Sequence, residues 1–114
     1  MAYRVNGITF PNRPLWRPAF EIVFQYAAKH PTATLHELRR AFTDDRNPPR
    51  FRQVVNALHE RSVKLDRSNF SPVSFQSADG KQVVVTSQWT ARSLEAFSEF
   101  AARKLGRAYR IERI

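Results

Sequence analysis

Three histidines, a pair of adjacent aspartates and fifteen arginines are the residues of this 114-residue chain whose types could do chemistry. His30, His36 and His59 lack the i, i+4 spacing that puts two imidazoles on one helix face, and the chain has no cysteine, so no zinc-type ligand set is legible. His30 fits a simpler role, bonding the last carbonyls of a helix. Asp44-Asp45 looks like half of a two-metal carboxylate set, but Glu37, Glu60 and Asp66 are its only acidic neighbours in sequence. A wet turn accounts for the pair. All three glycines stand at turn or cap positions, which excludes a glycine-rich phosphate loop, and no serine–histidine–acid spacing appears. The chain therefore reads as a non-enzyme without a cofactor. Tyr109, Arg110 and His59 are the weak candidates left for cleaving RNA, as a small basic ribonuclease toxin would.

The arginines carry more information. Nineteen basic against ten acidic residues give a net charge of +9, a field that draws polyanions from a distance and is rewarded by counterion release on a phosphate backbone. Arginine's planar fork suits phosphate oxygens and guanine edges better than a lysine ammonium does. Charge alone leaves the choice between DNA and RNA open. It also fits an acidic protein, so a phage- or plasmid-encoded module that docks on a host protein is the alternative. The terminal cluster Arg103, Lys104, Arg107, Arg110 and Arg113 fits a solvated surface and a phosphate track equally well.

These side chains must be positioned by one small α+β domain, residues 1–114. Hydrophobic content of 42%, with nine phenylalanines, suffices for one packed core. Residues 1–17 predict a hairpin turning at Asn6-Gly7, with Tyr3, Val5, Ile8 and Phe10 on one face, and then a proline-punctuated connector. Residues 18–67 predict a helical core. A first helix runs from Pro18 to His30, and a second opens on the capping box Thr34-Leu35-His36-Glu37. A third, capped by Asn47 with Pro48 in its first turn, covers 49–66 with Phe51, Val54, Val55, Leu58 and Leu65 inward. Residues 73–114 predict a hairpin turning at Asp79-Gly80, a last helix from a Thr90 cap to Leu105 with Gly106 as its stop, and a strand at Tyr109-Arg110-Ile111.

Three helices and then a hairpin, over about residues 18–87, resemble a winged helix-turn-helix DNA-binding domain. The resemblance implies that the third helix enters the major groove and the hairpin lies along the backbone. On these positions it implies groove-facing contacts from Arg52, Gln53, Asn56, His59 and Lys64, with Arg67 as a further nucleic-acid contact on the same side of the helix. Arg39, Arg40, Arg46 and Arg50 would hold phosphates, which position without specifying sequence. The C-terminal half, with Val83-Val84-Val85, Gln88-Trp89, Phe97 and Leu105-Gly106, also resembles a small bacterial and phage domain to which no activity attaches.

The function expected is a DNA-binding regulator or accessory factor of a bacterium, phage or plasmid. A cytoplasmic location is expected too. No apolar run approaches the ~20 residues that span a bilayer, and the first residues lack a signal-peptide core.

Overall fold

Asn6 and Gly7 both adopt positive φ, +47° and +80°, in the computed structural model, which describes residues 1–114. That backbone closes a two-residue turn between β1 (Ala2–Val5) and β2 (Ile8–Pro11), with Tyr3 opposite Phe10 and Val5 opposite Ile8. Tyr3, Val5 and Phe10 are buried, whereas Ile8, next to the turn, is 46% exposed.

The first helix, α1 (Trp16–Lys29), starts two residues before the expected Pro18, which falls in its first turn where a missing N–H costs nothing. His30 follows it, with Nδ1 2.8 Å from the Tyr26 carbonyl oxygen. The capping box opens α2 (Leu35–Ala41) as the spacing predicts: Glu37 N–H donates to Thr34 Oγ1 and Thr34 N–H donates to Glu37 Oε1. A distant residue completes the cap, since Leu35 N–H donates to Asp79 Oδ1 at 3.0 Å. The Ser77 hydroxyl first, and then this N–H, hold the Asp79 carboxyl below its ordinary pKa.

The helix expected over 49–66 does not form. Residues 43–54 are irregular, β3 (Val55–Ala57) follows, and only Arg61–Leu65, α3, is helical. Phe51, Val54 and Val55 are buried as a helical stripe requires, but Asn56 and Ala57 are buried as well and Leu65 is 73% exposed. Four buried residues in succession cannot lie on one face of a helix; they fit a strand covered on both sides. The partner of β3 is β5 (Gln82–Val85), with Val55 opposite Val85 and Ala57 opposite Val83. Asn47 and Pro48 accordingly lie in a loop and cap nothing. From α1 onward the order is helix, helix, strand, short helix, hairpin and helix, which is not three helices followed by a wing.

The Asp79-Gly80 turn joins β4 (Phe75–Gln76) to β5, giving an antiparallel sheet in the order β3-β5-β4. Thr90 caps α4 (Ala91–Lys104), its Oγ1 accepting from Ser93 N–H at 3.0 Å. Gly106, at φ +130°, reverses the chain after it. The terminal strand arrives later than expected: Arg107–Tyr109 form a 3₁₀ turn, and β6 (Glu112–Arg113) pairs antiparallel with β1 in a sheet ordered β2-β1-β6. The result is a compact α+β domain of four helices and two small three-stranded antiparallel sheets. Phe42, Phe51, Phe97 and Phe100 meet at its centre, with ring centroids 5.2–5.9 Å apart. No helix is long and apolar enough to cross a membrane.

Two truncations separate this core from the helical one. Phe97→Ala should destabilise the domain by about 3–5 kcal/mol, and Leu65→Ala by about 0.5 kcal/mol or less, as read by urea unfolding. A comparable loss at Leu65 would restore the continuous helix.

Candidate functional site

Ser98 faces inward from the middle of α4 and grips the C-terminal segment. Its hydroxyl accepts from Ile111 N–H at 2.8 Å and donates to Ile111 O at 3.2 Å. Tyr109 and Ile111 are buried in consequence, and the alternation of an extended chain turns Arg110 and Glu112 to the outside. Burial, and to a lesser degree the neighbouring Tyr26, push the Tyr109 hydroxyl pKa up.

On the other side of α4, Phe51 packs edge-on against Phe97 and Phe100 and anchors the end of the 43–50 loop. The loop is organised by Asp44, whose side chain is only 1% exposed. Asp44 accepts from Arg46 Nε at 2.7 Å, from Arg46 Nη2 at 2.9 Å and from Arg50 N–H at 2.6 Å. The Arg46 guanidinium above all, helped by the backbone N–H groups of Arg50 and Arg46 and opposed by burial, holds this carboxyl well below the usual carboxylate range. The aspartate read as a wet turn residue is thus a buried clip that presents two arginines.

Between these two walls runs a groove of about 910 Å³, with the exposed face of α4 as its floor. Arg46 and Arg50 line one side, Arg107, Arg110 and Glu112 the other, and Glu99 and Arg103 rise from the helix. Arg50, Arg103, Arg107 and Arg110 take part in no ion pair. Further recesses adjoin: one adds Arg92 and Glu95, another Arg113, and both share Glu99. Glu99 is therefore the central carboxylate of a predominantly cationic concave surface. The arrangement can hold an extended anion through several guanidinium forks at once.

The residues singled out from the sequence divide sharply. Arg46 and Arg50 belong to the groove. Arg39 does not point to solvent as a phosphate ligand would: its Nη2 donates to both Glu60 carboxylate oxygens, at 2.7 and 2.8 Å, and its Nε to Val55 O. Glu60 also accepts from Ala57 N–H, so this pair ties α2 to the end of β3. Asn56, expected at a base edge, is buried in β3 and bonded to Gln53, whose amide it accepts at 3.0 Å. Arg52 donates to Gln88, and Arg67 to Ser71 O at 2.7 Å. Arg40 and Lys64 are exposed, on α2 and α3, away from the groove lining. The helix that would have aligned Arg52, Gln53, Asn56 and Lys64 is absent, so the nine side chains serve several separate surfaces.

Arg103, Arg107 and Arg110 come from the terminal cluster that the sequence left undecided. What joins them to Arg46 and Arg50 is the Ser98 grip and the Asp44 clip. Neither has a sequence signature, because each is a contact between distant segments or a loop geometry. The residues weighed for RNA cleavage are not equivalent, since Tyr109 is buried and His59 exposed. No group of three or more His, Cys, Asp or Glu side chains is placed to hold a metal ion.

A carboxyl whose pKa is depressed in the folded state adds stability that is complete above its unfolded pKa, about 3.9, and that drains away as pH falls below it. Asp44→Asn should therefore cost about 2 kcal/mol at neutral pH, with the gap to the unmodified chain narrowing as urea unfolding is repeated towards pH 2. A gap that stays constant would show that the carboxylate charge does not hold the loop. Comparison of the chain with family models, curated protein sequences and solved structures finds no match.

Proposed function

We propose that this protein binds nucleic acid, holding the phosphate backbone in the arginine groove along α4 as a non-enzymatic regulator or accessory factor. One observation carries the reading. Two stretches far apart in sequence, residues 46–50 and 99–112, bring five arginines to one concave surface, and four of the five are free of ion pairs. Concentrating like charge costs self-repulsion, which a bound polyanion offsets and releases as counterion entropy. A groove of this kind follows a backbone and reads no base edges, so the contact is phosphate positioning and not base readout. Docking of a helix in the major groove, as in a winged helix, has no support here, because Arg52, Gln53 and Asn56 share no continuous helix. Glu99 and Glu112 temper the positive charge of the surface.

Fluorescence anisotropy with labelled duplex DNA, titrated across salt concentrations, tests the proposal. The affinity should fall with salt at a log–log slope of about −4, and Arg103→Ser/Arg110→Ser should weaken binding to every sequence alike while flattening that slope by about 2 units. Lys64→Ser, outside the groove, should change neither. Unaltered binding by the double variant, or no binding at low salt, would remove this function. Single-stranded DNA and RNA of the same length, run in parallel, rank the backbones.

Glu99 supplies an independent check at the same surface. Glu99→Gln removes the central like-charge contact with phosphate and should tighten duplex binding by about threefold to tenfold. Weaker binding would mean that the carboxylate orients the arginines instead of opposing the ligand.

A further inference from the structure

The second sheet ends in an edge that no other strand covers. Ser77 N–H donates to Lys81 O at 2.8 Å and Phe75 lies opposite Val83, while Gln82 O accepts from Leu58 N–H on the far side of β5. Phe75 and Ser77 therefore direct their backbone groups at β5, and Ser74 and Gln76 direct theirs outward. β4 is the last strand of its sheet, and neither Ser74 nor Gln76 forms a backbone hydrogen bond with any other segment.

Beside this edge lies a cleft of about 380 Å³ between α1 and β4, walled by Phe24, Ala28, Ala33, Leu38, Phe75 and Ala78 among others. Phe24 is 44% exposed although its ring packs edge-on against Phe75 at 5.8 Å. Edge strands are ordinarily guarded by shortness, charged side chains, prolines, bulges or covering segments. β4 is only two residues long and Ala78 N–H beyond it donates to Ala33 O, but the other guards are missing at Ser74 and Gln76. Residues 68–78 carry no charged side chain, and their one proline, Pro72, precedes both outward positions.

We propose that this edge and cleft form a docking site for an extended, acidic peptide segment of a partner protein, which adds alongside β4 as a fourth strand and seats an apolar side chain in the cleft. Main-chain bonds to Ser74 and Gln76 hold the segment, and the cleft selects the apolar residue. Charge selects what flanks it. No carboxylate lines the cleft, and Asp79 at the adjoining turn spends Oδ1 on Leu35 N–H at 3.0 Å and on the Ser77 hydroxyl at 2.5 Å. Lys81 is exposed beside that turn, and the chain as a whole carries +9. Acidic flanks are steered in by this field, which repels a second copy of the chain. A nucleic acid has no strand edge to offer β4. The cleft shares no residue with the arginine groove.

Selection of short random displayed peptides on the immobilised full chain tests the site. Enriched peptides should carry an apolar residue between aspartates or glutamates and lack proline beside it. The best of them, made synthetically, should lose about tenfold or more in affinity on Ala28→Trp, which fills the cleft from an exposed helix position without adding charge, and on Gln76→Pro, which removes an outward N–H that β5 does not use. Both variants should keep the native thermal midpoint and duplex binding. Failure to enrich acidic–apolar peptides, or binding indifferent to both variants, would overturn the proposal. So would a concentration-dependent dimer in sedimentation that Gln76→Pro abolishes, since a second copy would then be the occupant.

Discussion

Val83, Val84 and Val85 lose all exposure to solvent. A strand without water at either face must have its backbone N–H and C=O groups bonded along both edges, because each unpaired buried group costs a large part of a hydrogen bond's worth of stability. The rest of the domain follows from that demand. It draws residues 55–57 into a strand on one side of β5 and residues 75–76 on the other. Beyond the end of β4, Ser71 supplies Val85 with both an N–H and a hydroxyl, the N–H donating to Val85 O at 2.8 Å and the hydroxyl accepting from Val85 N–H at 3.1 Å. No buried side-chain polar atom is left without a partner. The same demand leaves the far edge of β4 free, since a short outer strand pairs on one side only.

α4 links this sheet to the proposed site. Leu94, Phe97, Phe100 and Ala101 bind it to the core, and its exposed face carries Arg92, Glu95, Glu99 and Arg103 at helical spacing. A helix locked by aromatic contacts on one side is a rigid floor for charge on the other. The walls are fixed by polar contacts, Ser98 with Ile111 on one side and Asp44 with Arg46 and Arg50 on the other. Burying Asp44 is costly in itself, and the arginine pairing and backbone donors offset that cost. The loop is thereby held in the conformation that turns its cationic groups towards α4.

Much of the local structure was legible in the chain. Asn6-Gly7 demands positive φ at two successive residues and returned a hairpin. Thr34 with Glu37, and Thr90 ahead of α4, marked helix starts through hydrogen bonds spanning three residues. Gly106 marked a stop. The failures cluster where a pattern had two physical solutions. Phe51, Val54, Val55 and Leu58 suit one helical face, and they suit equally a loop anchor followed by a strand buried on both sides. Propensity is a few tenths of a kcal/mol per residue, too little to decide between them. Pairing with three consecutive valines decides, and those valines lie some thirty residues downstream.

Sequence by itself determined the charge, the sufficiency of the core, the absence of thiol chemistry, the turns and the caps, because each depends on composition or on bonds between near neighbours. Tertiary structure alone decided which arginines share a surface. Arg39 is spent on Glu60, Asn56 is enclosed in a sheet, and Arg46 and Arg50 stand beside Arg103, Arg107 and Arg110. Fifteen arginines along a chain carry no information about which of them meet. That depends on where the backbone turns, and here it turns to satisfy the buried hydrogen bonds of β5 and the aromatic face of α4.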